Sequence, residues 1–233
     1  MNNWALILGA SSGIGEKCAL ELAKKGMNIY GLYLRKPSSH IEKLTNKIKS
    51  YNVEVIYKKA NAANAANRDK IINHLSTLGN VNIKIMLHSL AFGSLQPMIS
   101  NNPSDTLNQK KIEMTLDVMS NSLVYWVQDL FKKTFLHEGT QIIAMTSAGG
   151  SKQWKSYGAV SMAKASLESS SRQLAFELAP YKIACNTIQS GVTLTPALEK
   201  IPGYKDMMKH AKNTNPHKRL TQTKDIAKAV SLI

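Results

Sequence analysis

Tyr157 and Lys164 stand seven residues apart in a stretch of helical pattern, about 20° apart around the axis and about 10.5 Å apart along it. They share a face. A phenol with a reference pKa of about 10 can give a proton or a hydrogen bond to a carbonyl oxygen that gains charge, and a nearby ammonium makes it the better acid. Ser147, just past the apolar run Gln141 to Thr146, is placed to donate a second hydrogen bond to the same oxygen. The lysine can also clamp a ribose. A Tyr and a Lys two turns apart are, by themselves, more often an amphipathic accident. The weight therefore falls on what surrounds them.

Directly after the apolar run Trp4 to Leu8 comes Gly9-Ala10-Ser11-Ser12-Gly13-Ile14-Gly15, opening a helical pattern. Glycines at such a place let the backbone turn tightly and approach a ligand, and the helix N-terminus behind them favours a pyrophosphate. A glycine trio alone is weak evidence; one between the first strand and first helix of a βαβ unit marks a dinucleotide site. At the end of the second strand a carboxylate would hold the ribose 2'-hydroxyl of NAD. The residues there are Tyr33-Leu34-Arg35-Lys36, whose two cations suit a 2'-phosphate. NADPH is the expected cofactor and NADH the less favoured one, unless both cations are solvated loop residues.

The elements that must position these groups alternate. Strand patterns at 4–8, 27–34, 53–57, 83–88, 141–146 and 183–188 are separated by helical patterns at about 13–25, 37–50, 68–78, 105–133 and 156–178, with a last helix from about Asp225. This rhythm predicts an α/β fold, a Rossmann-type doubly wound parallel β-sheet flanked by helices on both faces, as a single domain over 1–233. Ligands in such sheets sit at the carboxyl ends of the strands, where all the motifs above fall.

With 43% apolar residues in 233, the chain can bury a large core. The N-terminus lacks a basic segment and a small-residue cleavage site, and no apolar run reaches membrane-spanning length. Cys18 and Cys185 show no metal-ligand spacing and read as buried spacers in a reducing compartment, so a cytoplasmic protein without metal or membrane is expected. Thirty Lys and Arg against fifteen Asp and Glu give a formal charge of +15. That field suits an anionic cofactor, an acidic carrier protein or nucleic acid, and equally a merely solvated basic surface. No basic patch interleaved with aromatics and no helix-turn-helix supports nucleic acid.

Gly9-x3-Gly13-x-Gly15, Ser147, Tyr157 and Lys164, in that order, make the chain resemble the short-chain dehydrogenase/reductase family over essentially its whole length. Most members carry Tyr-x3-Lys, but position 160 is Val160; the pair reads Tyr157-x6-Lys164, the spacing of bacterial enoyl-acyl-carrier-protein reductases. His88-Ser89-Leu90-Ala91-Phe92-Gly93 is similar to the His-Ser-Ile-Ala-Phe run of that branch, and Asp117 replaces the asparagine that ordinary members use to carry a relay water. Ser190-Gly191-Val192-Thr193-Leu194-Thr195 resembles the loop that grips the nicotinamide. The resemblance thus implies cofactor contacts from Gly9, Ser11, Ser12, Gly13, Ile14, Gly15, Arg35, Lys36, Asn61, Ala62, Ser89, Leu90, Ala91, Lys164, Gly191, Val192, Thr193 and Thr195.

Ser147 stands where the best-known enoyl reductases have a second tyrosine, and Val192 where a proline usually follows the glycine. With Arg35, the first difference makes the chain most similar to the NADPH-dependent variant. Relatives continue past the helix near Asp225 into a final strand, whereas this chain stops at Ile233. By resemblance Tyr157, Lys164 and Ser147 are catalytic, the substrate is an enoyl thioester on an acidic acyl carrier protein, and the assembly is a homotetramer. Phe92, Gly93, Met98, Leu194, Ala197 and Met207, with Met208, are available for an acyl slot; core packing would use the same residues as readily. Lys200, Lys205, Lys209 and Lys212 would face the carrier or only solvent. The competing readings are a reductase of 3-oxoacyl thioesters, of dienoyl- or enoyl-coenzyme A or of small carbonyls, and a non-catalytic dinucleotide-binding regulator.

Overall fold

Residues Asn2–Leu8 form β1, whose side chains leave alternate faces. Trp4, Leu6 and Leu8 enter one apolar layer, and Ala5 and Ile7 the other. A strand apolar on both sides needs helices over both. The computed structural model describes residues 2–233 and supplies them. After β1 come α1 (Gly13–Lys24), β2 (Asn28–Tyr33), α2 (Ser38–Lys49), β3 (Val55–Lys59), α3 (Ala65–Ser76) and β4 (Val81–His88). The second half has α4 (Gln109–Leu116), α5 (Ser122–Lys132), β5 (Gln141–Ser147), α6 (Gly158–Leu178), β6 (Ala184–Ser190), α7 (Tyr204–Thr214) and α8 (Thr223–Val230).

All six strands pair in parallel in the order β3-β2-β1-β4-β5-β6, the doubly wound arrangement expected from the alternation. The order reverses beside β1, so the crevice at the carboxyl ends of β1 and β4 is the natural ligand site. One layer, around Leu6, Tyr30, Leu75, Met86 and Trp126, lies under α3, α5 and α6. The other, around Ile7, Cys18, Leu22, Ile48 and Leu87, lies under α1, α2 and α8. Burial pushes the thiol of Cys18 up to about 12 and that of Cys185 up to about 11, so both stay inert. Among the described residues no helix is long and apolar enough to cross a membrane.

Two expectations change. The single helix over 105–133 is two helices joined through one π turn at Asp117–Asn121, and the first begins only where the Asn108 side chain accepts from Lys111 N at 3.0 Å. Ser120 meets Ser166 of α6 at 2.8 Å, while Ser122 donates back to Val118 O. The second change is α7, a helix with no buried residue. Tyr204, Met207, Met208 and Ala211 do recur at helical spacing, but over only two turns and without entering the core. No strand follows α8 among the described residues.

Candidate active site

The glycine turn is built as a cradle. Gly9 sits at φ +90°, and a Cβ there would lie 2.6 Å from Ser89 O; Gly15 is pressed on the carbonyl of Gly9. Two side chains absent from the sequence-based assignments hold the turn from outside. Tyr57 donates to Ala10 O at 3.3 Å, and His40 Nε2 donates to Ser11 O at 3.0 Å. Ser12, the N-cap of α1, makes no side-chain capping bond, so the first amides of a 12-residue helix are left for an anion.

A cleft of about 1110 Å³ runs from this turn across the carboxyl ends of the strands, large enough for a dinucleotide and part of an acyl chain together. On its wall lie Gly9, Ser11, Ser12, Ile14, Arg35, Lys36, Asn61, Ala62, Ser89, Leu90 and Ala91 at one end. Gly191, Val192, Thr193, Thr195, Phe92, Gly93, Ala197 and Met207 are on the same wall further along. Arg35, Lys36, Lys152, Lys164 and Lys200 also line it, and no carboxylate does, which suits a polyanionic ligand. Several of these polar groups are spent on shaping the loops. Asn61 Oδ1 accepts from Ala63 N, Thr193 donates to Gly191 O, and Thr195 Oγ1 accepts from Leu198 N.

Four expected contacts lie elsewhere. Gly13 and Gly15 are turn geometry rather than wall: Gly13, at φ +59°, packs against Thr195. Met98 lies over Gly158, where its side chain occupies the place of a Cβ, and is off the wall. Leu194 faces a second cleft between α1 and α8, because the bridge from Thr193 to Thr221 turns the next side chain outward.

At the far end β5 and α6 bring three groups together. Tyr157 is the N-cap of α6, not a residue within it; the left-handed Ser156 swings the chain in, and Tyr157 O accepts from Ser161 N. Its ring packs against Gly149, where any Cβ would overlap the ring. The phenol oxygen is 3.4 Å from Ser147 Oγ at the end of β5. Burial pushes the Tyr157 phenol above its ordinary value, and the Ser147 hydrogen bond pulls it partly back.

Lys164 is 6% exposed, and its ammonium donates to Met145 O at 2.6 Å. Burial lowers this ammonium to about 8, against a smaller upward pull from Glu168. The Lys164 ammonium thus anchors α6 to the β5 carbonyl of Met145, while the shift of the Tyr157 phenol follows burial and the Ser147 bond. Glu168 in turn accepts from Thr146 at 2.6 Å. Asp117 accepts from the Tyr125 hydroxyl at 3.0 Å and is off the cleft wall.

Sequence reasoning also missed the cover of this end. Trp154 lies on the cleft wall and donates from its indole to Pro202 O at 2.9 Å, joining the β5–α6 connection to the segment before α7. His88 is fully buried, with Nε2 2.9 Å from the Ser122 hydroxyl. Burial first, and the charge of Lys164 second, hold its imidazole down at about 3 and neutral.

Residues 9–233 match the family model described as enoyl-(acyl carrier protein) reductase. An NADPH-type enoyl-acyl-carrier-protein reductase of Staphylococcus aureus is 27% identical over 167 residues, 71% of this chain and 64% of that protein's length. An NADH-type one of Enterococcus faecalis is 26% identical over 221 residues, covering 93% and 84%. The short-chain dehydrogenase/reductase of Serratia marcescens superposes with a TM-score of 0.84 at 20% identity, over 100% of this chain and 90% of that one, which shows the shared fold. The match over residues 9–233 and the fold together show that the chain belongs to the short-chain dehydrogenase/reductase family of nicotinamide-dependent oxidoreductases, on the side similar to the enoyl-acyl-carrier-protein reductases.

Proposed function

We propose that the protein reduces the trans-2 double bond of enoyl thioesters with NADPH, in the cytoplasm, on substrates carried by an acidic acyl carrier protein. The carrying observation is the phenol of Tyr157, 3.4 Å from Ser147 Oγ, seven residues before a buried Lys164, with Val160 where the commoner spacing puts the tyrosine. The Arg35 and Lys36 cations and the absence of a carboxylate on the wall support NADPH over NADH. The cradle at Gly9, the uncapped α1 terminus and the length of the cleft fit a dinucleotide.

NADPH, when bound, would supply a hydride to the β-carbon and so place negative charge on the thioester oxygen, and a proton from solvent taken up at the α-carbon would complete the reduction. Tyr157 donates a hydrogen bond to that oxygen where the charge develops, and the Ser147 hydroxyl orients the phenol or adds a second bond. The close approach of Gly149 to the ring holds it in place, and Trp154, bonded to Pro202 O, lines this end of the cleft. Lys164 would turn from Met145 O to the ribose hydroxyls as the cleft fills. Phe92, Ala197 and Met207 give the acyl chain an apolar wall. Association as a homotetramer through the long helices belongs to the same reading and rests on the family resemblance alone.

The test follows nicotinamide absorbance with the purified protein, offering a trans-2-enoyl thioester or a 3-oxoacyl thioester, each with NADPH and with NADH. Turnover of the enoyl substrate with NADPH is expected. Turnover of the oxo substrate alone would replace this reading by carbonyl reduction on the same scaffold.

A further inference from the structure

Arg35 follows β2 and Phe92 follows β4, and the sheet order places β1 with its glycine turn between them. The two side chains nevertheless meet. The guanidinium carbon of Arg35 lies 3.5 Å from the centroid of the Phe92 ring, a face-on stack at van der Waals contact. Both residues line the main cleft, which keeps its full 1110 Å³ with the stack formed. Arg35 has no carboxylate partner among the described residues, so the ring is what fixes its position.

We propose that Phe92 is a cofactor-selectivity residue, seating the Arg35 guanidinium flat so that its in-plane N–H groups are presented to a ribose 2'-phosphate. The argument rests on the NADPH reading above. A guanidinium uses its face for an aromatic ring and its edge for a phosphate, so the two contacts do not compete. An arginine held in one rotamer before the ligand arrives loses less freedom on binding than one waving in solvent. Phe92 was assigned to the acyl slot from its place in the sequence; the stack assigns it to the cofactor as well.

The experiment measures equilibrium Kd for NADPH and for NADH by nicotinamide fluorescence, without substrate, on the wild type, Phe92→Leu, Phe92→Tyr, Arg35→Gln and the Phe92→Leu/Arg35→Gln double variant. Phe92→Leu is expected to weaken NADPH about fivefold, within the range of a cation–π contact, and to leave NADH within about twofold. Phe92→Tyr keeps the ring face and retains NADPH affinity. In the Arg35→Gln background, Phe92→Leu has no further effect on NADPH, the signature of one coupled unit. Equal weakening of both cofactors, or tighter NADPH binding by Phe92→Leu, overturns the proposal while the NADPH reading stands. A wild type that binds both cofactors equally, with Arg35→Gln silent, overturns the NADPH reading and this proposal with it.

Discussion

Replacing Lys164 by methionine keeps the length of a buried side chain and removes its charge, which makes the ammonium's burial measurable as a pH dependence of stability. Burial lowers this group from 10.5 to about 8. Between those values the folded state binds fewer protons than the unfolded chain, so stability rises with pH across that window. At about 1.4 kcal/mol per pH unit the change amounts to about 3 kcal/mol. The change in packing around the methylene stem shifts the variant by an amount that does not depend on pH, so it cancels when two pH values are compared. The stability of Lys164→Met relative to wild type, from urea unfolding, should therefore be about 3 kcal/mol greater at pH 7 than at pH 10.5. A relative stability that stays flat over this range would refute the reasoning: Lys164 would then be hydrated or fully compensated, and the packing of β5 against α6 described here would be wrong.

Tyr157→Phe keeps the ring on Gly149 and loses only the hydroxyl, so kcat for the enoyl substrate should fall by about a hundredfold or more with the melting temperature unchanged. Ser147→Ala removes the bond that pulls the Tyr157 phenol down; a spectrophotometric titration should find that phenol ionising at higher pH than in wild type. Gly149→Ala forces a methyl into the Tyr157 ring and should cost about 1–3 kcal/mol in urea unfolding together with most of the activity. Gly9→Ala meets both the positive φ and Ser89 O, so NADPH binding should be lost in a fluorescence titration before the fold is.

The sheet was legible because its signal is local: β1 carries apolar residues on both faces and is followed at once by the glycine turn, as the parallel crossover requires. The break at Asp117–Asn121 was not, since one extra residue in a turn barely disturbs a 3.6-residue period and its partner, Ser166, is far away in sequence. Tyr157 and Lys164 were recognised by type and spacing, but Tyr157 proves to be the N-cap of α6. The bond from Lys164 to Met145 O depends on packing that no window of sequence contains. The same holds for Arg35 on Phe92, and for Tyr57 and His40, whose donation to the carbonyls of Ala10 and Ser11 shows only once β3 and α2 lie beside the turn. Leu194 belongs to the segment expected beside the nicotinamide, but the bridge from Thr193 to Thr221 turns its side chain into the second cleft.

The most direct test of the central claim traces the hydride. The purified protein is given a trans-2-enoyl thioester and NADPH deuterated at the transferable position, and the product is examined by mass spectrometry and NMR. A saturated thioester with one deuterium on the β-carbon is predicted, and Tyr157→Phe should remove it. An untouched enoyl thioester, alongside a 3-oxoacyl thioester reduced to the deuterated 3-hydroxy product, would contradict the account.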